Sequence, residues 1–398
     1  MKIFFYLKHF PLYDSPCSEG VSKAVHGLAS GLVSIGQSVT ILSEGPASGY
    51  RRSEFGYDIR TFSAPNTHPS INLSPALVSY LQTEIDEDDR VILNGIFHRS
   101  VATMARLLKR YRIPYIMAPH DPYHPAIFQK KKWLKIIYWY LQEAPMLRTA
   151  WAVQILDIRH QQYLRQRGIQ TKTIALPNGF EASDVWPESK LEWRHQGIPR
   201  IYFLGRFDAY NKGLDILLAA VAQVLQHQKI QVTFQGPEWG DRATLEAQAE
   251  QLGIQDQVKF LDPDYQSSPT ELMMEHDIFC VPSRFEGFSL SALEAMLAGR
   301  VILISEVAGL ASYVNKSSAG LVVQPTVESI RDGILELLKY PDRWPSMGLS
   351  GRRYALANLK WQTNARSALA SYGGAEILDA DLVSDDLVSM SGKSIHLD

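Results

Sequence analysis

The chain has 398 residues, 45% of them hydrophobic and 21% charged, with a formal net charge of −2. That length suits two domains of ordinary size with sizeable cores, and the near-neutral balance argues against nucleic acid as the main partner, which would leave a strong basic excess. Cys17 and Cys280 are too few for a disulfide framework and lack metal-ligand spacing, so a reducing cytoplasm is the expected compartment.

Met1 to His9 carries a short apolar run broken by charge, which suits a first buried strand better than a signal peptide. No apolar run reaches the roughly 18 residues of a membrane span, so any work on lipids is expected from the membrane surface. From there, short apolar runs alternate with helical patterns to the end, the signature of βαβ units on parallel sheets. Strands are predicted at 2–7, 38–42, 57–62, 90–93, 115–118, 152–156 and 172–175, with helices at 20–35, 74–83, 98–110, 126–148 and 158–166. After the turn at Pro177-Asn178-Gly179, a polar stretch with two prolines reads as an interdomain linker. A second alternating set follows, with strands near 201–204, 231–235, 258–260, 278–281, 301–304 and 321–323. The expected fold class is therefore α/β, with two doubly wound, Rossmann-like domains facing a central cleft. The domains are set at 1–185 and 200–360, with 186–199 between them. The tail 377–398, rich in Asp and Ser without a sustained apolar face, is expected to be disordered.

Within this frame the chain is centred on Val281-Pro-Ser-Arg-Phe-Glu286-Gly-Phe-Ser-Leu290-Ser-Ala-Leu-Glu294. A buried strand runs through a turn and a Gly loop into an apolar helical run, so Gly287, Phe288, Ser289 and Leu290 sit where a helix begins. Backbone N–H groups are unpaired there, and they and the positive end of the helix dipole favour an anion. Glu286 falls just before that terminus, and Glu294, about two turns further on, projects from nearly the same face. Carboxylates are poor phosphate ligands and good acceptors for sugar hydroxyls. The combination suggests a nucleotide sugar; a capped surface helix with two solvated glutamates is the plain alternative. A second constellation is Gly205-Arg206 with Lys212-Gly213, two cations in a loop beside the cleft that suit a leaving diphosphate. Gln235-Gly236-Pro237 lies at the same sheet edge, where backbone can meet a base.

The segment Gln129 to Leu141 places Lys130, Lys131, Lys132 and Lys135 beside Trp133, Trp139 and Tyr140. Such clustering suits an interfacial helix in peripheral contact with anionic membrane through 130–141. The favoured alternative is a helix packed on the sheet with a basic outer edge.

Taken together, Gly205-Arg206, Lys212-Gly213, Pro282-Ser283, Glu286-Gly287-Phe288 and Glu294-Ala295-Met296 resemble the signature of retaining glycosyltransferases of family 4, which have the GT-B fold. The resemblance extends through Asn94-Gly95-Ile96-Phe97, Ile113-Pro114-Tyr115, Pro119-His120-Asp121 and Pro177-Asn178-Gly179. It covers most of residues 1–375, and its N-terminal half is most similar to enzymes that build bacterial surface polysaccharides and glycolipids. It implies that Arg206 and Lys212 hold a donor diphosphate, that Glu286 accepts from the donor sugar and Glu294 from the ribose, and that His120 lies near the anomeric carbon. The resemblance also assigns Gly20, Gly205, Gly236, Pro237 and the 287–290 loop to donor binding. It further implies that a terminal helix, 361–376, crosses back to the first domain.

The implied activity is transfer of a hexose from a UDP- or GDP-sugar to a sugar or lipid-linked acceptor, without a cofactor. A sugar-nucleotide epimerase, which can share this fold, and a non-catalytic nucleotide-sugar binder are the alternatives. Three departures from the family pattern stand out. Glu19-Gly20 replaces a Gly-Gly loop, and a carboxylate there would repel a diphosphate if it pointed inward. Ser312 and His160 stand where the family often has Glu. Asp262-Pro-Asp264 matches a metal-binding DxD pattern, but Arg206 and Lys212 already supply positive charge, so no metal is expected. No carboxylate stands out as a nucleophile, which leaves a front-face route in which the departing phosphate takes the acceptor proton.

Overall fold

The computed structural model describes residues 1–10, 20–64, 72–193 and 197–373. In the N-terminal half, β1 (Ile3–Tyr6), β2 (Val39–Gly45), β3 (Gly49–Arg52), β4 (Asp58–Ser63), β5 (Arg90–Asn94), β6 (Tyr115–Ala118), β7 (Ala152–Ile155) and β8 (Thr173–Ala175) form one sheet. Its strand order is β3-β4-β2-β1-β5-β6-β7-β8. Every pairing is parallel except that of β3 with β4. In the C-terminal half, β9 (Arg200–Leu204), β10 (Gln231–Gln235), β11 (Val258–Leu261), β12 (Ile278–Val281), β13 (Val301–Ser305) and β14 (Gly320–Val323) form a parallel sheet in the order β11-β10-β9-β12-β13-β14. These are the two expected Rossmann-like sheets. The central strands β1, β6, β7, β12 and β13 are buried at every residue, because helices cover both faces.

Each sheet reverses its winding beside its first strand, between β1 and β5 and between β9 and β12. Such a reversal opens a crevice at the carboxyl ends of the strands. Asn94 ends β5, His120 follows β6, Arg206 follows β9 and Glu286 follows β12, so both crevices are lined by residues that the sequence had singled out.

The last described helix, Trp361–Tyr372, lies against the first helix, Gly20–Ser34. A Cβ at Gly27, Gly31 or Gly179 would collide with Trp361, so these glycines are what lets the indole seat there. The Tyr372 hydroxyl donates to Gln154 Oε1 at 2.5 Å, and its carbonyl accepts from Arg90 Nε at 2.9 Å.

Two expectations are corrected. The antiparallel edge strand β3 was not predicted. The single helix expected over 126–148 is four pieces: a 3-10 turn at Pro125–Phe128, a helix at Lys132–Tyr138, a π turn at Trp139–Glu143 and a helix at Ala144–Thr149. Pro145 has no N–H for the carbonyl four residues back, and a π turn shifts the ladder at that point. Glu19 and the tail 377–398 lie outside the described residues.

Candidate active site

The donor-side loops are built by close backbone packing. Gly213 has φ +67, and a Cβ there would strike the Pro282 carbonyl oxygen, so the 205–213 loop lies directly on the 282–288 loop. Arg284 fastens the two: its N–H donates to the Asn211 carbonyl at 3.1 Å, one terminal nitrogen donates to the Tyr210 carbonyl at 2.9 Å, and a two-pronged pair joins it to Asp215 at 2.7 Å on each arm. Asp208 caps the short helix Ala209–Lys212 by accepting from Asn211 N–H at 3.3 Å. This arrangement brings Lys212 Nζ to 2.5 Å from Glu286 Oε2, with the Ser283 hydroxyl at 3.4 Å from the same oxygen. Arg206 is exposed and packs over the Trp239 ring at 4.7 Å. Gly205 and Gly236 meet backbone to backbone, since a Cβ on Gly236 (φ +148) would collide with the Gly205 carbonyl; beside them, Phe207 N–H donates to Pro237 at 3.0 Å.

The helix Leu290–Leu297 starts where expected. Ser289, at φ +73, caps it by accepting from Ala292 N–H at 3.3 Å, and Phe288 is buried behind the turn. The start of the N-terminal helix faces it, with Gly20 opposite the Leu290 side chain. The described beginnings of these two helices therefore approach each other, and the terminus capped by Ser289 presents outward N–H groups.

Glu294 is largely, not wholly, shielded from solvent. Lys23, from the first turn of the helix Gly20–Ser34, reaches across and forms an ion pair with it. Burial raises the Glu294 carboxyl above its ordinary range while Lys23 pulls it down. Burial would likewise depress the Lys23 ammonium, but Glu294, Asp184 and Glu181 together hold it above its usual value.

On the N-terminal side, the backbone carbonyl of His120 lies against Gly287; any Cβ there would collide with it. His120 is in the left-handed region, φ +62. Its Nε2 is 2.8 Å from Asn94 Oδ1. Asn94 Nδ2 donates to the carbonyls of Tyr6 and Ile92 at 3.1 and 3.2 Å, so the amide oxygen faces the imidazole and Nε2 carries the proton. Burial pushes the imidazole down to about 4, so it is neutral at physiological pH.

Asp121, next in the chain, was not assigned a role from sequence. Burial first, and then the charge of Glu286, pushes its carboxyl up to about 6, against the pull of Lys212, Arg206 and Lys135. Those neighbours place Asp121 across the cleft from the donor-side cations. Lys23 and Trp239 were also missed. Lys23 is legible in hindsight, one helical turn after Gly20, whereas nothing local marks Trp239 as the partner of Arg206.

The remaining candidates lie elsewhere. Asp262 pairs with Arg242 at 2.5 Å and is largely exposed, and Asp264 accepts from the N–H groups of Gln266 and Ser267 at 2.8 and 3.0 Å, so each carboxylate serves its own loop. His160 is buried beside Asp157, which accepts from Arg159 N–H at 2.8 Å. Arg159 in turn donates to the carbonyls of Glu306 and Ala308 at 3.0 and 2.9 Å, a polar clasp between the two halves beside the 308–312 turn.

Two family models tile the chain. That described as Glycosyltransferase Family 4 matches residues 18–184, and that described as Glycosyl transferases group 1 matches residues 190–353. The chain belongs to the family 4-like GT-B glycosyltransferases. Among curated relatives, the D-inositol 3-phosphate glycosyltransferase of Corynebacterium diphtheriae is 32% identical over 186 residues. That stretch takes in 44% of this chain and 43% of the relative, so the chain spans under half the length of the curated relatives it matches. Among solved structures, the sucrose-phosphate synthase from Thermosynechococcus elongatus superposes with a TM-score of 0.74 at 20% identity, over 93% of this chain and 98% of that one. Anabaena Alr3699/HepE, solved in complex with UDP and glucose, gives 0.70 at 18% identity, over 93% and 99%. At such identities the likeness speaks for the shared fold.

Proposed function

We propose that this protein transfers a hexose from a UDP- or GDP-sugar, with retention of anomeric configuration, to a sugar or lipid-linked acceptor in cell-envelope polysaccharide or glycolipid synthesis. It would work in the cytoplasm, with peripheral contact at the inner face of the membrane. The observation that carries the reading is the Lys212–Glu286 pair, set between the loop that bears Arg206 and the start of the helix Leu290–Leu297.

Each part has a task in that reaction. Arg206 and Lys212 neutralise the diphosphate as it leaves, and the amides at Gly287 to Leu290 add fixed positive dipoles that need no reorganisation. Glu286, held by Lys212, accepts from sugar hydroxyls and orients the ring. Glu294 accepts from the ribose in exchange for part of its contact with Lys23. The neutral His120 braces the anomeric side through Asn94, and Asp121, on the acceptor side, holds the incoming hydroxyl. The departing phosphate oxygen takes the acceptor proton on the same face as the new bond. No metal is needed if the two cations carry the leaving charge.

The test is ligand-detected NMR against a panel of UDP-, GDP- and ADP-sugars, followed by incubation of the hit with and without acceptor sugars. Saturation transfer from one UDP- or GDP-sugar, with slow hydrolysis alone and faster turnover with acceptor, is expected. Conversion of the donor into an isomeric nucleotide sugar without acceptor would make the protein an epimerase. Tight binding without any turnover would make it a binder.

A further inference from the structure

The helix Lys132–Tyr138 and the π turn after it do not bury their apolar face, contrary to the favoured expectation of a helix packed on the sheet. Trp133, Leu134, Ile137, Tyr140 and Leu141 are 74%, 69%, 56%, 68% and 67% exposed. At helical spacing these five positions fall within an arc of about 120°. The opposite face is firmly seated: Trp139 is buried edge-on against Tyr123 and Phe128, with ring centroids 5.3 and 5.8 Å away. Glu143, also buried, accepts from the Tyr123 hydroxyl at 2.5 Å. The stripe is therefore an outward face of an ordered segment, held there by its inner side.

Its charge is one-sided. Lys130, Lys131, Lys132, Lys135 and Arg148 lie within residues 125–150, where the acidic side chain is that of Glu143, turned inward. Aromatic and aliphatic side chains flanked by lysines suit the boundary of an anionic bilayer, where rings lie at headgroup depth and ammonium groups meet lipid phosphate. A second copy suits the face poorly, since a two-fold contact would bring the lysine clusters together.

We propose that Trp133, Leu134, Ile137, Tyr140 and Leu141 insert into the headgroup boundary of an anionic membrane, with Lys130 to Lys132 at the lipid phosphates. The same helix sends Lys135 inward. Its Nζ donates to the Ile127 carbonyl at 2.6 Å and lies within electrostatic reach of Asp121 and Asp208, one on each side of the cleft. Docking therefore sets the mouth of the cleft at headgroup level, where a lipid-linked acceptor presents its sugar; this consequence rests on the transferase reading, whereas the docking does not.

The experiment is co-sedimentation of the full chain with phosphatidylcholine vesicles, with and without about one third phosphatidylglycerol, at low and high salt. Three proteins are compared: wild type, Trp133→Ser/Leu134→Ser/Ile137→Ser, and Lys130→Gln/Lys131→Gln/Lys132→Gln, each first shown by circular dichroism to be folded. Wild type should bind anionic vesicles and lose affinity in salt. The lysine variant should lose the preference for anionic lipid, and the serine variant should bind at least about tenfold more weakly even at low salt. Wild type that ignores anionic vesicles at low salt, or serine substitutions without effect, would overturn the proposal, as would self-association abolished by the same serines with no vesicle binding. Donor binding, measured on all three proteins, should be equal; its absence from wild type would sink the transferase reading and leave the vesicle result standing.

Discussion

At the residue scale, Asp121 and the two cleft glutamates give the sharpest consequences. Asp121 titrates near 6 because burial and Glu286 disfavour its charge. If its carboxylate holds the acceptor hydroxyl, kcat/KM should rise through an acid limb near pH 6, and Asp121→Asn should be slower and lose that limb. Stability should move the other way: a carboxyl whose folded pKa is raised binds its proton more tightly in the native state. Its favourable contribution is complete below its unfolded value near 4 and is lost as pH rises through 6. Asp121→Asn should therefore be more stable than wild type at pH 8, by about 1 kcal/mol after allowance for solvent screening, and equal to it at pH 4. Chemical denaturation at both pH values checks this. Glu286→Gln and Glu294→Gln should fail differently. Glu294 meets a ribose that does not change in the reaction, so its loss should raise donor KM by an amount worth about 1 to 3 kcal/mol and leave kcat near normal. Glu286 meets the ring that gains positive charge, so its loss should lower kcat more than it raises KM. Steady-state kinetics on folded variants decides, and the opposite pattern would exchange the roles.

At the element scale, the contact between the two halves joins side-chain pairs, Lys23 with Glu294 and Arg159 with the 306–308 carbonyls, to a close backbone approach of which the sequence carries little trace. Gly287 was legible as part of a helix start, but its abutment on the His120 carbonyl was not, because the partner lies in another domain. Gly287→Ala should force the loops apart while each sheet keeps its own core. The expected outcome is a normal melting profile, a larger radius of gyration by small-angle scattering and kcat/KM lower by at least about tenfold. An active, equally compact Gly287→Ala would remove the contact from the mechanism. The broken helix after Phe128 was illegible for a related reason. Its periodicity reads as one amphipathic run, and only the burial of Glu143 and Trp139 shows which face turns inward. The Asp262–Asp264 loop shows the reverse hazard, a motif whose carboxylates have local partners, Arg242 and two backbone N–H groups. Activity should accordingly survive EDTA; full loss restored by Mg²⁺ or Mn²⁺ would return both aspartates to the metal.

At the scale of the whole molecule, the two sheets and their crevices could be read from the chain, since buried parallel strands write themselves as continuous apolar runs between helices. The edge strand β3 could not, because Gly49–Arg52 is short, polar and half-exposed. The Gly-loop helix start and the cations of the 205–213 loop were legible as well, because strand-end loops carry their chemistry locally. Lys23 opposite Glu294 and Asp121 opposite Arg206 and Lys212 were not, since those meetings are made by the closure of one half on the other. The 205–213 loop, seated on the 282–288 loop, is thus read as a diphosphate site built on Arg206 and Lys212. Isothermal titration of UDP and GDP, with UMP and GMP as controls, into wild type and Arg206→Ala tests it most directly. Wild type should prefer one diphosphate over its monophosphate, and Arg206→Ala should weaken the diphosphate at least about tenfold while leaving the monophosphate nearly unchanged. Equal affinity of the two proteins for that diphosphate would contradict it.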